Sequence, residues 1–201
     1  MLQNTVSDYT EITLEMQAPT NANSFSFDFQ FFSGEYPKFV CNIYNDQFLA
    51  VVQSDTTYPT ATNISFDPNM NATTVNSGFF TICIGGNSAD NGAVKTPPAC
   101  PTAPTPANDG TGYEKNFPKA NTIGTIPGGS TGWLTTTAPI KPGEKFTLRF
   151  VIFDEGDDIL DSAALIDNFR WGVTKVTGPV TGPITYRAVK HRRFADLTCH
   201  G

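Results

Sequence analysis

Charge is scarce in this 201-residue chain: Asp, Glu, Lys and Arg make up only 16% of it, well below the usual quarter. Leucine is scarce too, with eight residues against 16 Phe and 27 Thr. A helical bundle draws on Leu, Ala, Glu and Lys, so this balance excludes one and points to β-structure with many turns. Histidine is confined to His191 and His200, and the four cysteines (Cys41, Cys83, Cys100, Cys199) form no C-x-x-C pair, which argues against a zinc knuckle. No apolar run approaches the 18 or so residues of a bilayer-spanning helix, so membrane insertion is not expected. The residues after Met1 have neither the cationic start nor the apolar core of an export signal.

What is present fills a core. Hydrophobic residues reach 39% and aromatics 12%, too many for a disordered chain. The net charge of −6 is unevenly spread. Arg187, Lys190, Arg192 and Arg193 against Asp196 give residues 181–201 a net +3, which leaves −9 on residues 1–180. An acidic body repels nucleic acid and anionic membranes and suits hard cations.

The pattern along the chain is that of strands. Phe25, Phe27, Phe29 and Phe31 alternate with Ser24, Ser26, Asp28 and Gln30, which predicts a strand with one face in a core. Further strands are predicted at 11–17, 47–53, 131–137 and 145–153, with shorter ones at 63–66 and 78–84. The stretch 162–173 reads as a final strand rather than a helix, with Trp171 in the core. Residues 85–130 carry so much Gly and Pro that they are expected to form a surface excursion. The expected fold is an all-β, jelly-roll-like antiparallel sandwich over residues 1–175. A spacer, Val-Thr-Gly-Pro given twice, is expected at 176–183, and a basic tail at 184–201. A Cys83–Cys100 disulfide would close the Gly- and Pro-rich segment between them and implies an exported protein. The pairing of Cys41 and Cys199 stays open.

The densest chemical signal is Asp154-Glu155-Gly156-Asp157-Asp158-Ile159-Leu160-Asp161. Five carboxylates in eight residues read either as a solvated acidic turn or as a calcium site, since Ca²⁺ takes six to eight oxygen ligands. The spacing is not that of an EF-hand. A second polar group, Glu35 with Asn45-Asp46, flanks the two strand ends nearest the Phe-rich strand. Tyr36, Tyr113 and Trp133 could stack on sugar rings, although packing within the protein is the commoner use of such residues. Gly128-Gly129-Ser130-Thr131-Gly132 matches a nucleophile elbow literally, but residues 1–190 contain no histidine to act as base. Glu35 with Asp157 is the remaining acid/base pair, and an enzyme is not expected.

Ser33-Gly34-Glu35-Tyr36-Pro37-Lys38-Phe39-Val40, followed by Tyr44-Asn45-Asp46-Gln47-Phe48-Leu49-Ala50, resembles the signature of choice-of-anchor L domains. Pro142-Gly143-Glu144, Leu148-Arg149-Phe150, Asp154-x-Gly156-Asp157-x-x-x-Asp161-Ser162 and Leu165-Ile166-Asp167-Asn168-Phe169 are similar to the family's second half. The resemblance implies a secreted or surface-anchored bacterial β-sandwich that accompanies adhesion modules. It favours the calcium reading, with Glu35, Asp46, Asp154, Asp157 and Asp161 as ligands. The expected function is calcium-dependent adhesion at the cell surface, with glycans or neighbouring surface proteins as partners. The alternative is a structural subunit of a fibre or surface layer that self-assembles through residues 184–201.

Overall fold

The computed structural model describes residues 6–36, 39, 44–77, 79–80, 82–83, 111, 113, 128–156 and 158–184. Two antiparallel sheets pack face to face. One contains β1 (Val6–Gln17), β9 (Lys145–Glu155), β3 (Gln47–Ser54) and β4 (Thr62–Asn63) in that order, with β5 (Thr73–Thr74) also on β3. The other runs from β11 (Val180–Pro183) through β8 (Leu134–Pro139) to β2 (Ser24–Ser33). In that sheet β10 (Ser162–Gly172) lies on the far side of β2, while β7 (Gly129–Ser130) and β6 (Ile82–Cys83) extend its upper end. The all-β sandwich expected from the composition is therefore present, and 162–172 is a strand.

The alternating phenylalanines of β2 set the core. Phe27 meets Phe150 edge-on at 4.9 Å, Phe29 stacks on Phe48 at 4.6 Å, and Phe25 stacks on Phe146 at 5.2 Å. These contacts tie β2 in one sheet to β3 and β9 in the other. Offset and edge-on ring pairs add to the burial of their large apolar area. The opposite face of β2 is also covered, because Ser24, Asp28 and Gln30 are buried. Side chains from the neighbouring strands roof it: Gln30 Nε2 donates to Ser130 Oγ at 3.1 Å, and Thr135 Oγ1 donates to Asp28 Oδ1 at 2.6 Å.

Two expectations need correction. Trp171 points towards the core beside Phe25, Phe146 and Phe169, yet it is 36% exposed. It sits on β10, the outermost described strand on that side of its sheet. The Thr-Gly-Pro repeat is also more than a spacer, since Val180–Pro183 pairs with Thr137–Leu134. Thr181 is buried there, sharing a hydrogen bond with Thr136 Oγ1 and donating to the Ile64 carbonyl. The basic segment 185–201 lies outside the described residues.

Candidate functional site

One end of the sandwich collects the polar residues singled out in the sequence. β2 ends at Ser33, β3 begins at Gln47, β9 ends at Glu155 and β10 begins at Ser162, so four strand ends from both sheets meet there. Asp46, directly before β3, is 1% exposed. Its Oδ2 accepts hydrogen bonds from Ser33 Oγ at 2.7 Å and from the Ser162 hydroxyl. Its backbone carbonyl accepts from Val75 N at 3.1 Å.

Glu35 is brought to Asp46 by the tight turn that follows β2. Ser33 Oγ accepts from Glu35 N at 3.0 Å, a local side-chain turn of the kind serine favours. Glu35 Oε2 in turn accepts from Asp46 N at 3.4 Å. One serine hydroxyl thus holds both acidic residues. Glu35 is 2% exposed and Asp154 5%.

Tyr113 lies near several of the carboxylates at this end. It is buried against Phe32, with ring centroids 5.3 Å apart, and packs with Leu160. Burial pushes its phenol well above the usual tyrosine range, and the charges of Asp161, Asp46 and Asp154 push it further. The hydroxyl donates to the Asp161 carbonyl at 3.4 Å, and the same carbonyl accepts from Gly34 N at 3.1 Å.

The sequence-derived site residues therefore divide. Glu35 and Asp46 touch, Asp154 is buried at the same end, and Asp161 contributes its backbone there while its side chain is exposed. Asp157 lies outside the described residues. Among the described residues, no group of three acidic, His or Cys side chains is placed to hold one metal ion. Tyr36 and Tyr113 are buried, so neither offers a free ring face to a sugar. Tyr36 packs on Phe80 at 4.9 Å, and burial pushes its phenol up to about 12. Trp133 is half-buried. Cys83 lies on β6, paired with Gly129, but its partner in the expected disulfide, Cys100, lies outside the described residues, as do Cys41 and Cys199.

Sequence reasoning passed over Ser33, Ser162 and a second polar cluster on the outer face of β2. Asp28 there accepts from Arg170 Nη1 at 3.0 Å, Arg170 Nη2 at 2.9 Å and Asn168 Nδ2 at 2.7 Å. Asn168 reaches it from a β-bulge in β10, where its φ of 54° is one that asparagine tolerates.

These bonds give physical roles to the short motifs. Glu35 and Ser33 frame Asp46, Ser162 caps it, Asn168 ties β10 to β2, and Glu144 pins a loop (below). The family model of the choice-of-anchor L domain matches residues 1–169. The chain belongs to that family. No curated protein and no solved structure matches it. Membership makes this choice-of-anchor L domain a surface or extracellular module.

Proposed function

We propose that this choice-of-anchor L domain is a calcium-binding adhesion module of the cell surface rather than an enzyme. The observation that supports the metal is burial: Glu35, Asp46 and Asp154 come from three chain segments and are all withdrawn from water at one end of the sandwich. Buried carboxylates at one end of a low-dielectric core repel one another, and a divalent cation that drew their side chains together would relieve that repulsion. The available donors are all hard oxygens: carboxylates, the Ser33 and Ser162 hydroxyls, and backbone carbonyls. That set suits Ca²⁺ and suits no soft metal. A cation bound only by the folded chain would staple the ends of β2, β3, β9 and β10 and raise stability by mass action.

For the ligand, glycans fit an open polar groove of about 680 Å³ at the opposite end of the first sheet. Glu15, Gln17, Gln53, Asp55 and Lys145 line it, and their carboxylate, amide and ammonium groups match sugar hydroxyls.

Calorimetric titration of Ca²⁺ into chelator-stripped protein tests the metal. Heat of binding and a higher melting midpoint are expected, both lost in Asp46→Asn. A midpoint identical in calcium and in EDTA sinks the metal part. A glycan array probed in calcium tests the ligand part, with Gln53→Ala expected to reduce any signal; an array without signal removes glycans.

A further inference from the structure

The sandwich has two lateral seams, and they differ. On one side β11 overlies the β3–β4 region, and Thr181 Oγ1 closes the gap by donating to the Ile64 carbonyl at 3.3 Å. On the other side stand β1 and β10, each the outermost described strand of its sheet.

Register shows which way their side chains point. Ile12, Leu14 and Met16 lie opposite the core residues Phe150, Leu148 and Phe146, so they face inward. On β10, Ile166 and Trp171 lie opposite Phe29 and Phe25 and also face inward. Directly opposed residues of an antiparallel pair share a face. Inward-facing apolar residues should be buried, yet Ile12 is 54% exposed, Leu14 38% and Ile166 36%. The seam is an open apolar slot between two strands. Among the described strands, β1 bonds only to β9 and β10 only to β2, so each has one edge that no described strand covers, the kind of edge that accepts a further strand.

One lip is acidic. β1 carries Asp8, Glu11 and Glu15, of which Glu11 pairs with Arg149 of β9 at 3.5 Å, while on β10 Asp167 is accompanied by Arg170, which is held by Asp28. The chain itself contains the complementary sequence. Beyond Ile184 it continues through Tyr186, Ala188, Val189 and Phe194, interleaved with Arg187, Lys190, Arg192 and Arg193. That segment leaves from β11, at the edge of its sheet opposite β10.

We propose that the β1–β10 slot is a strand acceptor, and that its occupant is residues 185–201 of a second copy of this chain. Donor and acceptor lie on opposite edges, so a tail entering the next copy need not wrap across its own sheet. Such a head-to-tail contact propagates as an open filament, or as a ring where the rotation between copies closes. The added strand supplies main-chain hydrogen bonds to an edge that no described strand covers and apolar side chains to the slot, the mode of β-augmentation.

Sedimentation of the full chain over a concentration series tests this. Species larger than a dimer are expected to grow with concentration and to disappear when the chain stops at Ile184. A synthetic peptide of residues 185–201 is expected to bind the shortened chain and to dissolve the full chain's oligomers. Ile12→Lys, at an exposed position, is expected to weaken peptide binding about tenfold while leaving the melting midpoint nearly unchanged. A full chain that stays monomeric overturns the proposal, as do oligomers that survive loss of the tail. Peptide binding that appears only after deletion from a monomeric chain identifies a chain's own tail as the occupant, and also overturns it. Should the shortened chain not fold, unchanged oligomers of the full chain in excess peptide are the overturning result.

Discussion

Asp28 and Arg170 meet across β2 and β10 through two hydrogen bonds of 3.0 and 2.9 Å, a two-pronged pairing on a face of the sheet that the sequence pattern would leave to water. Burial raises the Asp28 carboxyl, but the bonds from Arg170, Thr135 and Asn168, with the guanidinium charge, outweigh burial and hold it below the usual carboxylate range. Because the folded-state value is depressed, the stabilisation is present above the unfolded carboxylate range and is lost as pH falls below that range and through the depressed folded value. Arg170→Leu leaves the buried carboxylate without its two strongest donors. We expect a loss of about 1–3 kcal/mol near neutral pH, less than for a fully buried pair because the guanidinium is partly exposed. Urea midpoints measured from pH 7 to pH 3 check this: the difference between wild type and variant should shrink with acid. A constant difference would place the loss in packing instead.

Glu144 clasps two loops. Lys141-Pro142-Gly143-Glu144 is a turn closed by Glu144 N donating to the Lys141 carbonyl at 3.1 Å, with Gly143 at φ 76° as its third position requires. The Glu144 carboxylate then accepts from Thr56 N at 3.1 Å, Thr57 N at 2.8 Å, Lys141 N at 3.0 Å and both threonine hydroxyls. Burial opposes ionisation, but these bonds prevail and hold the carboxyl well below its usual range. Glu144→Ala should cost about 1–3 kcal/mol and lower the melting midpoint by several degrees. Its effect should be full at neutral pH and fade as pH drops below the unfolded carboxylate value. Thermal melts of Glu144→Gln across the same range provide the control, since the amide removes the charge while keeping the shape.

The serines at the carboxylate end carry a separate prediction. Ser33 and Ser162 both donate to Asp46 Oδ2, and Ser33 also receives Glu35 N. Removing a donor from a buried carboxylate costs about 1–3 kcal/mol. We expect Ser33→Ala to destabilise more than Ser162→Ala, because Ser33 also orders the turn that places Glu35. Equal chemical-denaturation midpoints for the two variants would show that the turn forms without Ser33.

Legibility followed the range of the interaction. The alternation of Phe25 to Phe31 announces β2 because each residue's face is fixed by its own position in the strand. The proximity of Glu35 and Asp46 was readable for a similar reason, since they bracket the connection between two predicted strands. Ser162 was not readable: its partner Asp46 lies 116 residues away, and a lone serine carries no signal of its own. The roofing of Asp28 needs to be known from β8 and β10 together. A tryptophan inside a predicted strand, as Trp171 is, reads as core, and the sequence does not reveal that no described strand lies beyond β10. Val180–Pro183 looks like a spacer for its Gly and Pro, yet Pro is tolerated at the end of an edge strand, where no amide is needed.

At Gly172, β10 packs tightly against Ser24 at the start of β2. A Cβ built there would lie 2.3 Å from Ser24 Oγ, much nearer than two non-bonded atoms approach. Ser24 cannot simply turn aside, since its hydroxyl donates to the Thr174 carbonyl at 2.9 Å and the residue is buried. Gly172→Ala must therefore displace the hydroxyl, break that bond and strain the contact between strands, at a cost of about 1–3 kcal/mol. The gain from a less flexible unfolded chain offsets this by less than about 1 kcal/mol. The companion variant Ser24→Ala removes the obstructing oxygen. In the double variant the two methyl groups still meet, but the worst contact and the displaced bond are gone, so the combined loss should fall short of the sum by about 1 kcal/mol or more. Denaturation midpoints of the two single variants and the double variant decide the matter. Strict additivity would mean that β10 shifts along β2 to make room, and that the bulge at Asn168 absorbs the movement.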